Sequence, residues 1–258
     1  MTIFCNEYHP WYSINYSLRK IANQCLSIHP TAYEEKDYIV TFALAKAFKS
    51  HDAAVLLCKR GFGEDAGILI RTLFELDVLV KYVLFDKTDK TAKLFTEYES
   101  MEREKMYNAN NIPEIREMMK SRNNYQEIID QMKIDAKSAK DNPLRKNKSG
   151  KLKATTWSGK TYEEMAQAVK LKDSYNIAYR LFSQLAHSNP RVVSFYLTDS
   201  NDGVIVPKSY PNNEWVKECL VKAFDFLFDI VFDYNQRFTC KQEDEIGALL
   251  KRYLALLD

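Results

Sequence analysis

On a helical wheel of about 100° per residue, the stretch from Asp173 to His187 gathers Asn176, Arg180, Ser183, Gln184 and His187 into one narrow sector. Tyr175, Ala178, Tyr179, Leu181, Phe182, Leu185 and Ala186 fill the rest of the wheel. A cation, an imidazole, a hydroxyl and two amides on one face suit chemistry on a phosphate. A planar guanidinium grips phosphate oxygens, and imidazole is the side chain best fitted to exchange protons near neutrality. A second stripe runs along the stretch from Gly61 to Phe85, where Glu64, Arg71, Glu75 and Tyr82 share one line of the wheel. Arg71 precedes Glu75 by four residues, the less favourable order for an ion pair within a helix. A partner from another helix is therefore expected, and His187 or Arg180 can supply it. The expected site is one cleft holding Arg71, Glu75, Arg180, Ser183 and His187, with Asn176 on the same face. The competing reading makes Arg71 and Glu75 a register-fixing pair, Arg180 a surface residue and His187 a helix cap.

A further basic feature lies in the middle of the chain. Arg145, Lys146, Lys148, Lys151 and Lys153 fall within nine residues that hold no acid, and Trp157 follows. Such a segment can clamp a phosphate backbone while the indole stacks on a base, or it can simply be a solvated loop. There is no Gly-rich phosphate loop, no H-E-x-x-H, no Cys/His cluster and no G-x-S-x-G. Those absences argue against a P-loop enzyme, a zinc protease and an α/β-hydrolase, and no metal or cofactor is expected. His9, His29 and His51 have no ligand or base partner at helical spacing beyond the acid Asp52 next to His51.

Helices must position these groups. From Ile68 onward the 61–85 stretch is apolar on nearly every side, the mark of a buried helix. Arg71, Glu75, Asp77 and Lys81 interrupt it, so no uncharged run is long enough to span a bilayer. Helical spacing of apolar residues also predicts helices over about 10–28, 32–60, 89–108, 173–188, 213–237 and 242–257, with shorter ones after Pro113 and Thr161. Residues 137–160 read as a basic mobile loop, and the β-branched runs around Asn201-Asp202-Gly203 as one small β-hairpin. The fold expected is a single all-α domain over 1–258, a bundle of long antiparallel helices near 32–60, 62–86, 173–188 and 213–237. A net charge of +2 confines any nucleic-acid affinity to a local patch. Five scattered cysteines, none in a C-x-x-C pair, and the lack of a signal peptide point to a cytoplasmic protein.

Two resemblances add to this. Arg180 and His187, with six residues between them, resemble the Arg-x4-6-His motif of the HEPN superfamily, helical bundles that include metal-independent ribonucleases of toxin and antiviral systems. What that implies is transesterification on RNA by a homodimer, the Arg holding the phosphate and the His working as acid or base. Leu181 stands where that family usually has a polar residue. Separately, GFGEDAGILIRTLFE followed by YRLFSQLAHSN is similar to a bacterial helical family known only as a domain of unknown function. There an Arg-x-x-x-Glu pair is matched by a Ser-x-x-x-His segment, here Arg71, Glu75, Ser183 and His187. The expected function is a HEPN-like ribonuclease or toxin-type effector. Its alternative is a non-catalytic module that binds a partner protein or small ligand through the same cleft.

Overall fold

The computed structural model describes residues 6–28, 32–109, 112–121, 123–147, 149–152, 156–199 and 204–257. In chain order its elements are α1 (His9–Leu26), α2 (Glu35–Lys59), α3 (Gly63–Phe85), α4 (Lys90–Ala109), α5 (Pro113–Lys120), α6 (Tyr125–Asp141), α7 (Tyr162–Ala168) and α8 (Lys172–Ser174). A π-helical turn (Tyr175–Tyr179) leads into α9 (Arg180–Ala186), followed by α10 (Val193–Tyr196), β1 (Leu197–Asp199), β2 (Ile205–Pro207), α11 (Val216–Phe238) and α12 (Glu243–Leu254). Among the described residues the protein is mostly helical with one two-stranded antiparallel hairpin, as its periodicity and composition predict. No helix among the described residues is long and apolar enough to cross a membrane. The chain divides into two compact units, one of residues 1–82 and 166–258, the other of residues 83–165.

The first unit is built on α11, which packs against α1 and α2, while α12 lies along α1. Leu220, Ala223, Phe224, Leu227, Ile230 and Val231 give α11 its buried side. Pro10 occupies the first turn of α1, where a missing N–H costs nothing. Glu34 and Asp37 exchange backbone hydrogen bonds to cap α2. Inside this unit a polar pair ties three helices together. Asn15 donates to the carbonyls of Trp11 (2.9 Å) and Leu220 (3.0 Å). Its Oδ1 lies 2.8 Å from His51 Nε2. Because both amide hydrogens of Asn15 are engaged, its oxygen accepts and His51 Nε2 donates. His51 is a buried core residue, and burial, with Arg19 nearby, drives its pKa down to about 3.

Glycines set how closely α3 is approached. Gly61, at φ +77°, ends α2 in a conformation that a side chain would strain. At Gly67 a Cβ would come 2.5 Å from Phe182 Cδ1 and 3.2 Å from Leu185 Cδ1, so α9 rests directly on the α3 backbone. Further along α3, Phe74 meets Tyr179 (centroids 5.3 Å apart), Tyr175 (6.3 Å) and Phe226 of α11 (5.4 Å). Later residues of α3 thus face earlier residues of the 172–186 segment, and the two run antiparallel.

In the second unit α4 pairs with α6. Ile129, Met132, Ala136 and Ala139 face inward from α6, and the Tyr107 and Tyr125 hydroxyls meet at 2.9 Å. Several boundaries differ from the sequence expectation. Residues 137–141, expected in a loop, extend α6, and Pro143–Arg145 form a 3-10 turn. Residues 191–196, which open the first β-branched run expected as strand, are helical instead, because Asn189 caps the turn that Pro190 opens. The pairing Leu197↔Pro207 to Asp199↔Ile205 makes the hairpin real, although Asn201, Asp202 and Gly203 lie outside the described residues. The capping box of Thr161 and Glu164 forms as its spacing predicts, with bonds of 2.7 and 3.2 Å.

Candidate functional site

Arg71 stands at the centre of a polar cluster between α3 and the 175–187 segment. Its Nε donates to Glu75 Oε1 at 3.1 Å, so the intrahelical pair forms despite its unfavourable order. Its Nη1 lies 3.0 Å from His187 Nε2, and its Nη2 reaches the Tyr179 hydroxyl at 3.4 Å. The guanidinium also sits over the Tyr179 ring, 5.2 Å from its centroid. Arginine has donors only, so His187 Nε2 must accept and the imidazole is the neutral form protonated on Nδ1. Arg71 and Glu75 are half-buried, while His187, at the end of α9 where regular hydrogen bonding stops, is exposed.

The electrostatics follow from this packing. Burial works against the Arg71 charge, but Glu75 and Tyr179 outweigh it and hold the guanidinium above its ordinary range. Burial and the Glu75 charge push the Tyr179 phenol up, with Arg71 acting the other way. Tyr179 is the member that the wheel missed. It stacks on Tyr175 at 5.0 Å and is pinned by Phe74, which fixes the plane on which Arg71 rests. The wheel sets Tyr179 outside the polar sector, with Tyr175, Phe182 and Leu185, and that is the side packed on α3, from which its hydroxyl reaches Arg71.

Arg180 does not join the cluster. Its guanidinium lies over the Tyr175 ring at 5.9 Å, and among the described residues it makes no hydrogen bond or ion pair. With Asn176, Ser183, Gln184, Tyr179 and Arg191 it lines an open groove of about 620 Å³. The sequence set Arg180, Ser183, Asn176 and His187 on one face. The structure instead brings His187 to Arg71 and leaves the other three to the groove. Tyr179 belongs to both. Arg191 was not anticipated; it follows Asn189-Pro190, whose turn redirects the chain beside the groove. Among the described residues no group of three or more His, Cys, Asp or Glu is placed to hold a metal ion.

The basic segment needs correction. Arg145 is only 4% exposed, donates from Nη1 to the Trp157 carbonyl at 2.8 Å and from Nη2 to the Leu94 carbonyl. Trp157 is 8% exposed and packs edge-on against Phe95 at 5.2 Å. Neither is free to clamp a strand or stack on a base, because both belong to the core of the second unit. Lys146 pairs with Asp141 at 3.0 Å, Lys151 is exposed, and Lys148 and Lys153 lie outside the described residues.

A family model described as a family of unknown function, DUF5677, matches residues 37–204, which include both polar stripes. No curated protein and no solved structure matches the chain.

Proposed function

The chain belongs to the DUF5677 family, and we propose that it cleaves RNA by metal-independent transesterification, with Arg71 and His187 as the reacting pair. The observation that carries this reading is the 3.0 Å contact between Arg71 Nη1 and His187 Nε2 at a solvent-open helix end. A phosphodiester arriving there competes for the Arg71 donors. Once Nη1 turns to a phosphate oxygen, the lone pair on His187 Nε2 is released. That lone pair takes the proton of the 2′-hydroxyl, the 2′ oxygen attacks phosphorus, and the bond from phosphorus to the 5′ oxygen breaks. A water gives the leaving 5′ oxygen its proton and the resulting hydroxide takes back the proton held on His187, giving a 2′,3′-cyclic phosphate, a 5′-hydroxyl and neutral His187. Glu75 holds Nε, so the guanidinium keeps its orientation while charge builds on the phosphoryl oxygens. Arg180 and Arg191 in the adjoining groove supply positive charge for the flanking strand. The resemblance to HEPN proteins extends the proposal to a toxin-type effector acting in the cytosol as a homodimer.

A second reading is favoured by one feature: Nε, Nη1 and Nη2 of Arg71 all have protein partners already. On that reading the cluster is structural and the groove binds a partner protein or small ligand without chemistry. Incubation of single-stranded RNA with the protein, in chelator, separates the two. The ribonuclease reading expects cyclic-phosphate products from the wild type and a loss of about 10²–10⁴-fold in His187→Ala, the range for a general acid or base. Arg180→Ala should weaken binding more than turnover. Equal cleavage by all three proteins, or none by any, rejects the catalytic assignment.

A further inference from the structure

The second unit contains a cavity of about 380 Å³, within the span of roughly 300–1,000 Å³ common for small-molecule sites. Tyr98, Met101 and Leu152 contribute its apolar surface, and Arg145 lines it. This arginine is unusual for so buried a cation. Two backbone carbonyls accept from its terminal nitrogens, its Nε has no hydrogen-bond partner, and it makes no ion pair with any described carboxylate. Glu97 is close enough to favour the charge but is held by Asn142 at 2.9 Å. The Tyr98 ring, 5.5 Å from the guanidinium carbon, is a weak substitute for a counter-ion. Burial accordingly pushes the Arg145 pKa down. A buried guanidinium normally has a carboxylate in direct contact, and among the described residues none makes that contact with Arg145.

The other charges on the cavity are engaged with one another. Glu104 is already paired with Lys140, and Glu102 faces Lys105 at 3.7 Å and the Tyr98 hydroxyl. Counting Arg145, Lys105 and Lys140 against Glu102 and Glu104 leaves one positive charge unmatched. We propose that this cavity binds a small organic monocarboxylate, its apolar body against Tyr98, Met101 and Leu152 and its carboxylate turned toward Arg145. The terminal nitrogens of Arg145 each retain a hydrogen beyond the one given to the backbone, so they can serve such an anion without giving up the carbonyls. The site stands on observations separate from the Arg71–His187 cluster and does not depend on the ribonuclease reading.

The probes are octanoate, 4-phenylbutyrate and indole-3-acetate, each with its neutral alcohol, titrated into the full chain by calorimetry and thermal shift. Saturable binding of at least one acid is expected, at least tenfold tighter than its alcohol. Met101→Trp, which fills the cavity and leaves the cation in place, should abolish binding while the thermal transition persists. Arg145→Lys keeps a charge but loses the planar fork and should weaken binding at least tenfold. No binding of any acid, equal binding of acid and alcohol, or undiminished binding by a folded Met101→Trp protein would overturn the proposal.

Discussion

Replacing Gly67 with alanine tests the contact on which the site is built. The new Cβ would lie 2.5 and 2.9 Å from two carbons of the Phe182 ring and 3.2 Å from Leu185 Cδ1. Ordinary contact begins near 3.4 Å, so the ring must turn or α9 must retreat from α3 by about 1 Å, and overpacking of this kind costs about 1–3 kcal/mol. Alanine is favoured over glycine in a helix by about 1 kcal/mol, which offsets part of that cost. The expected net loss is up to about 2 kcal/mol. The effect on the site should be larger. Arg71 is one turn further along α3, and a 1 Å retreat stretches its 3.0 Å contact with His187 beyond hydrogen-bonding range. A misplacement of that size can lower a reaction rate about 10²-fold. Chemical denaturation and RNA cleavage should be measured side by side with Gly247→Ala as control. Gly247 lies in α12 with nothing near its would-be Cβ, so alanine there should stabilise. If Gly67→Ala gains as much stability as Gly247→Ala, α3 and α9 are not in backbone contact and the derivation of the site fails.

Two further predictions concern buried titrating groups. His51, at about 3 in the fold against 6.5 when free, is protonated in the unfolded chain over a window where the fold excludes the proton. Stability should therefore fall as pH drops from 6.5 toward 3, by at most about 1.4 kcal/mol per pH unit. His51→Gln should remove that part of the slope in denaturation curves recorded across the window; an unchanged slope would show that His51 is not buried neutral. Asp77 is fully buried on α3, both of its oxygens lack hydrogen bonds, and Lys81, 3.7 Å away, also serves Asp229 and Asp233. Burial and then Asp229 hold its carboxyl well above the usual range, so the fold retains a proton that the unfolded chain has released. That contribution is complete below the unfolded value of 3.8 and fades as pH rises through the folded one. Asp77→Asn should gain stability relative to wild type as pH increases; a constant difference would contradict this.

Much of the architecture was legible from side-chain periodicity. The stretch that is apolar on all sides is a buried helix, and Gly61 ends α2 through the positive φ that its type allows. The approach of Arg71 to His187 was also legible, since each stands in a polar stripe that an apolar helix does not otherwise carry. What escaped was how far side chains reach across the edge of the polar stripe. Tyr179 lies on the side of the segment packed on α3, and its hydroxyl reaches Arg71, whereas Arg180 turns onto the Tyr175 ring. The fate of Arg145 was hidden for a different reason. A run of cations reads as solvated, and only tertiary packing shows that one of them caps two carbonyls in a core. Likewise Asn15 and His51, thirty-six positions apart, carry no local sign that they are a buried pair.

In the proposed mechanism Arg71 and His187 act as one unit, and a double-mutant cycle on single-turnover RNA cleavage measures that directly. Arg71→Ala, His187→Ala and the double variant should each lose nearly the same factor, because removing either half disables the pair. Losses that simply multiply, or a His187→Ala protein that cleaves as fast as wild type, would contradict it.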